Sequence, residues 1–470
     1  IAVCTGGAVA ALSVAFSTSF WSNATEAEVY ALSMGFTLAA FWLALRWDDA
    51  HRDVQSDRQL LVIAYLFGLG AGVHLQALLT VPGILILVYT DLMEDRRAGR
   101  QVLVVAALTL YPFLSILAPM ELTAVMTLAI LAGLIVLRPE WRNPWFWIAA
   151  VLVAGLGYST YLALIVRSGL NPLIDMNNPE SWDNFKAFLA RQQYGTHSIF
   201  PRRADFWTYQ INIHIKYFLQ QFPNVFEVSA TFRRAVDSFS DKTETVAFSL
   251  VPILLGTWGA VYHLVKDWKR FAAVFSMFAI MGLGLVIYLN MPDPEPRERE
   301  YIFVGAYAFF GLWMGMGAAG IIVWVQNRFG SFALACTAAA ILMLVPTGIL
   351  ARNYFSHDRS SDYIAHDYAY NILSSCEPNA LLFTNGDNDT YPLWFLQTVK
   401  GVRRDVRIAN LSLLKTSWYV KQLRDLEPKL PIAMTDEQVD QEVLARPWRK
   451  PMDVTIAGIT IKADEIPTVE

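Results

Sequence analysis

Long apolar runs separated by short polar stretches dominate the chain. They fall at about 1–20, 28–45, 60–73, 75–90, 102–118, 121–137, 145–166, 247–265, 271–289, 301–324 and 331–350. A helix needs about 20 residues to cross about 30 Å of hydrocarbon. The stretches 60–90 and 102–137 are too long for one crossing, so each divides into a hairpin, near His74 and near Pro119-Met120-Glu121. This pattern predicts eleven helical spans, a polytopic α-helical membrane domain over 1–350.

Charge placement orients the predicted spans. With Ile1 on the cytoplasmic side, the loops 46–59, 91–101, 138–144, 266–270 and 325–330 carry 12 Lys and Arg, against 2 in the short loops opposite. Cytoplasmic loops carry such an excess. The loop 21–27, His74, the long loop 167–246, the loop 290–300 and the tail 351–470 then share the non-cytoplasmic face. The chain begins at Ile1 inside an apolar run, with no charged leader region, and reads as a fragment that lacks its N-terminal part.

The tail changes period and predicts a small soluble α/β domain over 351–470. Residues 360–374 have helical spacing, 380–384 and 406–410 are short strand patterns, and 391–400 and 417–426 are helical. Asn385-Gly386-Asp387-Asn388-Asp389-Thr390 is turn chemistry. Strand–loop–helix–strand predicts a parallel pair with the loop 385–390 at a strand's C-terminal end, where open α/β sheets bind ligands.

Composition agrees with the pattern. Only 17% of residues are charged, against about 25% in soluble chains. The net charge of −4 gives no reason to expect nucleic acid, and Cys4, Cys336 and Cys376 are too few and scattered for a disulfide framework or metal site. There is no Gly-rich nucleotide loop and no nucleophile elbow.

Candidate chemistry gathers on the predicted non-cytoplasmic face. Glu26 and Glu28 stand at the mouth of a span, where carboxylates could orient a sugar or move a proton; two exposed loop carboxylates are the plainer reading. His74 lies at a predicted hairpin tip, as a donor to phosphate or sugar or as a turn residue bonded to backbone. The stretch from Asn290 to Tyr301 holds Asp293, three prolines, Arg297 and Arg299; it reads as an Arg clamp for phosphate or as a loop held by its own Arg–Glu pairs. Asp293, Asn385, Asp387 and Asp389 are candidate acceptor or substrate contacts. An aromatic piece, Phe206–Phe218, reads as an interfacial or packing segment.

Several of these stretches together resemble a known family. Phe20-Trp21-Ser22-Asn23-Ala24-Thr25-Glu26-Ala27-Glu28-Val29-Tyr30, Gly72-Val73-His74-Leu75, Asn177-Asn178-Pro179 with Gln193-Tyr194-Gly195, Pro296-Arg297-Glu298-Arg299-Glu300-Tyr301 and Asn385–Trp394 occur in the order and spacing of the bacterial membrane family known as domain of unknown function 2723. That family is related to the transmembrane protein 260 type of protein O-mannosyltransferase. The resemblance implies a GT-C type glycosyltransferase of the bacterial inner membrane, with its C-terminal domain in the periplasm. Such an enzyme moves a sugar from a polyprenyl-phosphate carrier to a protein or cell-envelope acceptor, with membrane lipid around it, no nucleic acid and no cofactor beyond the lipid-linked donor. It implies Glu26, Glu28 and His74 at the catalytic site and Arg297 and Arg299 at the donor phosphate. Members of the family carry an acidic motif further upstream, which implies that the catalytic base lies outside this chain. Two other readings remain at this stage: a transporter or flippase, which would show paired repeat halves, and a non-enzymatic membrane scaffold.

Overall fold

The computed structural model describes residues 1–26, 28–50, 54–92, 106–111, 125–130, 132–133, 144–190, 199–224, 227–233, 243–295, 297–443, 452–456 and 459–463. It forms two compact units, Ile1–Thr160 with Ser198–Arg359, and Tyr161–His197 with Ser360–Glu470.

The first unit is built around one helix, Val304–Phe329, in which Val304, Tyr307, Phe309, Trp313, Met314, Ala318 and Ile322 are buried. Its small residues let neighbouring backbones come into contact. A Cβ on Gly315 would stand 2.4 Å from the Gly6 carbonyl oxygen of helix Ala2–Ala15, and one on Gly6 would stand 2.7 Å from that of Gly315. Beside helix Leu250–Lys266 the approach is closer still: a Cβ on Gly259 would lie 1.7 Å from the Trp313 oxygen, and one on Gly317 2.4 Å from the Leu255 oxygen. Lipid supplies no hydrophobic drive for helices to associate, so close backbone packing on small residues takes its place. The same device joins Val54–Val73 to Pro144–Tyr158, where Gly68 and Gly157 meet backbone at 2.1 and 2.5 Å by the same measure.

Among the described residues four helices are long and apolar enough to cross a membrane: Pro144–Ser168, Trp268–Leu289, Glu300–Phe329 and Phe332–His357. Ala2–Ala15 and Thr18–Thr25, bent by 65°, make up to a fifth. The expectation of eleven spans is therefore not supported. The apolar runs at 75–90 and 247–265 fold as helices of 10–17 residues, about 15–25 Å long at about 1.5 Å per residue, and the run at 60–73 is the apolar part of the 20-residue helix Val54–Val73. Tyr30–Asp49 has the length but ends in Arg46, Asp48 and Asp49. Much of 102–137, including the predicted turn at Pro119-Met120-Glu121, lies outside the described residues. The break at His74 is present: Val54–Val73 ends there and a 3-10 turn, Leu75–Thr80, leads into Val81–Leu92.

The bend after Ala15 exposes backbone groups that the first unit satisfies internally. Thr18 N–H donates to the Gln221 carbonyl at 3.1 Å and Ser19 N–H to the Gln221 side chain at 3.0 Å. Asn353 donates to the Phe16 carbonyl at 2.8 Å, and His357 lies 2.9 Å from the Thr18 carbonyl. Irregular backbone at membrane depth is tolerated only when protein covers it in this way.

In the second unit the strands Leu381–Thr384 and Arg407–Asn410 pair in parallel, register Leu381↔Arg407 to Thr384↔Asn410, as the alternation predicts. Ala369, Leu373, Leu393, Leu396, Ile408 and Leu423 form its core. Two boundaries differ from expectation. Helix Phe332–His357 runs through residues 350–351, and the segment 161–197 joins this unit because Ile174 packs on its core, whereas the hairpin Glu227–Arg233 with Thr243–Ser249 stays with the first unit. The helix predicted from 391 begins at Asp387, because Asp389 caps it: its carboxylate accepts the Gly386 and Asn385 N–H groups, both at 2.8 Å.

The packing generates a prediction. Replacing Gly315 or Gly259 by Leu forces backbone apart and should cost more than the about 1–3 kcal/mol of ordinary overpacking. Gly7→Ala, which meets nothing within 4 Å, should be neutral or stabilise by about 0.5–1 kcal/mol. Thermal unfolding in detergent checks the contrast; equal midpoints would refute it.

Candidate functional site

The loop after helix Leu285–Leu289 is fixed at both ends before it presents any chemistry. Asn290 closes that helix in the left-handed region at φ 45°, which Asn tolerates. Its side chain accepts the Arg203 N–H at 2.9 Å and donates to the Pro201 carbonyl at 3.1 Å. Fully buried Gln210 donates to the Met291 carbonyl at 2.6 Å. Two buried tyrosines then hold the polar part. The Tyr209 hydroxyl accepts the Glu295 N–H at 2.9 Å, and the Tyr217 hydroxyl accepts the Arg299 N–H at 3.2 Å. Burial pushes the pKa of both phenols up, and the acidic side chains of the loop add to the effect, so both stay neutral. The aromatic piece thus serves as the clamp for the Pro-rich loop. Sequence reasoning flagged it without that role.

The loop's charges are unequal in their surroundings. Arg299 Nε donates to Glu295 Oε1 at 2.8 Å, and the Glu295 side chain is only 4% exposed. Arg297 is exposed, stands 5.6 Å over the Tyr301 ring and forms no ion pair among the described residues. Lys216 pairs with Glu298 at 3.4 Å. Glu300 has one carboxylate oxygen shielded from solvent with no hydrogen-bond partner among the described residues. A cavity of about 470 Å³ opens here, lined by Thr18, Lys216, Tyr217, Gln220, Glu298, Glu300 and Asn353 among others. Its walls offer both donors and acceptors, suited to a hydroxyl-rich ligand.

Tyr30 and Tyr301, quoted in the sequence motifs but given no role, bring the distant candidates together. Their rings lie 5.1 Å apart, and His74 lies 5.0 Å from Tyr30. Glu28, Arg297 and Arg299 are all near enough to act electrostatically on the Tyr30 hydroxyl. His74 also caps the 3-10 turn, its Nδ1 accepting the Gln76 N–H at 3.3 Å, while Gln76 donates to the Ile302 carbonyl at 2.8 Å. Glu26 and Glu28 are exposed; Glu26 lies 3.8 Å from Arg359, a pairing worth about 1 kcal/mol or less. Asp293 is half-buried near Tyr209. Pro296 and the motif Gln193-Tyr194-Gly195 lie outside the described residues.

Asn385, Asp387 and Asp389 belong to the second unit. Asp389 is committed to its cap, and its carboxyl is held below the usual range by the Asn385 N–H. Asn385 accepts Ser412 on its backbone carbonyl at 2.7 Å, and Asp387 is exposed.

One buried base underlies the clamp. The His214 ring packs 4.6 Å from Phe303 and closely against Gly282, in the π-helical turn Ile280–Gly284, and its Nδ1 is shielded without a hydrogen bond among the described residues. Burial lowers its pKa to about 4.

Two family models match the chain. Residues 1–97 match the "Protein O-mannosyl-transferase TMEM260 N-terminal domain", and residues 365–446 match "TMEM260-associated domain 2". No curated protein and no solved structure matches it significantly. The two matches support a protein O-mannosyltransferase-like family of the TMEM260 type, and the first covers Glu26, Glu28, Tyr30 and His74.

His214 yields a pH prediction. A histidine with a depressed folded pKa binds fewer protons folded than unfolded between about 4 and 6.5. The stabilisation is whole above pH 6.5 and is lost as pH falls through that window. The unfolding midpoint of the detergent-solubilised protein should therefore drop between pH 6.5 and 4, and His214→Phe should flatten that slope. An unchanged slope in the variant would refute the assignment.

Proposed function

We propose that the protein is a membrane glycosyltransferase of GT-C type. It moves a sugar, mannose by likeness to the matched family, from a polyprenyl-phosphate carrier to a hydroxyl of a protein or envelope acceptor at the non-cytoplasmic face. One observation carries the reading. Residues of the matched N-terminal stretch, Glu28, Tyr30 and His74, converge on the Arg297–Tyr301 stretch beside a polar cavity at the start of a membrane helix.

The chemistry is a displacement at the anomeric carbon. An acceptor hydroxyl attacks, the carbon–oxygen bond to phosphate breaks, the phosphate leaves as an anion, and the hydroxyl proton passes to a carboxylate. Arg297 answers the leaving phosphate, because it keeps its charge unpaired among the described residues while Arg299 is offset by Glu295. A preorganised cation aimed at developing negative charge stabilises the transition state. Arg299 instead holds the loop's shape. Glu298 and Glu300 line the cavity and accept hydrogen bonds from sugar hydroxyls. Glu26 and Glu28, both exposed, serve the acceptor. The strong polarity of the site sits at helix ends, where a lipid-anchored donor presents its head group.

The test is transfer of radiolabel from polyprenyl-phosphate mannose by the full-length protein. Arg297→Ala should lower kcat by about 10²-fold or more, in the range seen when one such donor is removed. Glu28→Gln should lower transfer less. Parental activity in both variants would sink the site assignment. Absence of transfer by the parent from any polyprenyl-phosphate sugar would sink the enzyme class.

A further inference from the structure

We propose that the second unit carries an oxyanion site, for a phosphate or carboxylate group, formed by Arg404 and Arg407. Both residues line one pocket of about 110 Å³, between the C-terminal end of helix Asp387–Thr398, the start of strand Arg407–Asn410 and the last turn of helix Ser417–Asp425. That is well above the about 10–15 Å³ a single water requires.

Two neighbouring arginines of the unit pair with carboxylates. Arg403 meets Asp405 at 2.9 Å, and Arg424 meets Asp425 at 2.7 Å and Asp436 at 2.5 Å. Among the described residues Arg404 and Arg407 form no ion pair. Arg404 donates to the Gln397 and Thr398 carbonyls at 2.9 and 3.3 Å, and Arg407 to the Gln422 and Glu427 carbonyls at 2.8 and 3.3 Å. These are neutral partners, so two positive charges remain uncompensated by contact. Helix C-terminal carbonyls favour a cation, which accounts for the bonds made. It does not account for Arg407 Nε, which is shielded from solvent with no hydrogen-bond partner among the described residues. A buried donor left unmade costs about 1–3 kcal/mol, and more when charged.

The remaining walls fit an anion with some apolar body. Leu173, Trp394, Ile408 and Leu423 line the pocket. Its one lining carboxylate is that of Glu427; its Oε2 accepts the Lys429 N–H at 3.4 Å, and the carboxylate, unlike the Glu427 backbone carbonyl, reaches Arg407 only electrostatically. A planar guanidinium matches phosphate and carboxylate with two parallel donors, which lysine cannot reproduce. The site lies at the opening end of strand Arg407–Asn410, away from the Asp389-capped turn, and stands independently of the transfer reaction proposed for the first unit.

Calorimetric titration of the whole protein in detergent tests this, with inorganic phosphate in one arm, acetate in another, and chloride at matched ionic strength as the reference. Saturable binding of phosphate or acetate is expected, and whichever binds identifies the ligand chemistry. Arg404→Gln and Arg407→Lys should each weaken it at least tenfold. Arg404 is exposed, so its replacement leaves the fold intact and decides the matter even if the Arg407 variant does not fold. No saturable binding of either anion by the parent, or unchanged binding in Arg404→Gln, overturns the proposal.

Discussion

The close approach of backbones along helix Val304–Phe329 is the constraint from which the rest of the first unit follows. Gly315 against Gly6 and Gly317 against Gly259 leave no room for a methyl group on either flank. Dispersion falls steeply with distance, so backbone contact gains attraction that larger side chains would forfeit by holding the helices apart. The consequence for function is positional. Both flanking helices are held in fixed register to this helix, which follows directly on the 3-10 turn Glu300–Phe303 that carries Glu300, Tyr301 and Phe303. The polar loop is therefore delivered to one place rather than left to sample several.

From that fixed point the site is assembled by aromatic and hydroxyl contacts more than by ion pairs. Tyr209 and Tyr217 take backbone N–H groups of the loop, and Tyr301 meets Tyr30. Neutral phenols suit this task, because a charged anchor in the same buried setting would bear a desolvation cost of several kcal/mol or more. The charged groups are then left to differ. Arg299 is tied to buried Glu295, and Arg297 is exposed over an aromatic ring. Two arginines two residues apart come to have separate uses for that reason.

Much of this was legible in the chain. The apolar runs marked the helices, the turn at His74 was found, and the parallel pair in the second unit followed from its strand–helix–strand order. The span count was not legible, because hydropathy measures how apolar a run is and not where tertiary packing breaks it. Residues 15–18 show no Pro or Gly, yet the chain bends by 65° there because Asn353, His357 and Gln221 take up the freed backbone groups. Those partners lie more than 200 positions away. The capping by Asp389 could have been read from an acidic residue three positions after Gly386, in the first turn of a helix that looked like a loop. Tyr209 and Tyr217 could not, since a buried aromatic in an amphipathic stretch has the same sequence signature whether or not its hydroxyl holds a distant loop.

The central claim is that donor and acceptor meet beside Arg297–Tyr301 and the cavity it borders. A photoreactive polyprenyl-phosphate sugar, cross-linked to the protein in membranes and mapped by mass spectrometry, addresses it directly. The account predicts label on 290–303 and on the cavity-lining stretch 216–221, competed away by unmodified donor. Competable label confined to the helix Pro144–Tyr158, with none on either of those stretches, would contradict it.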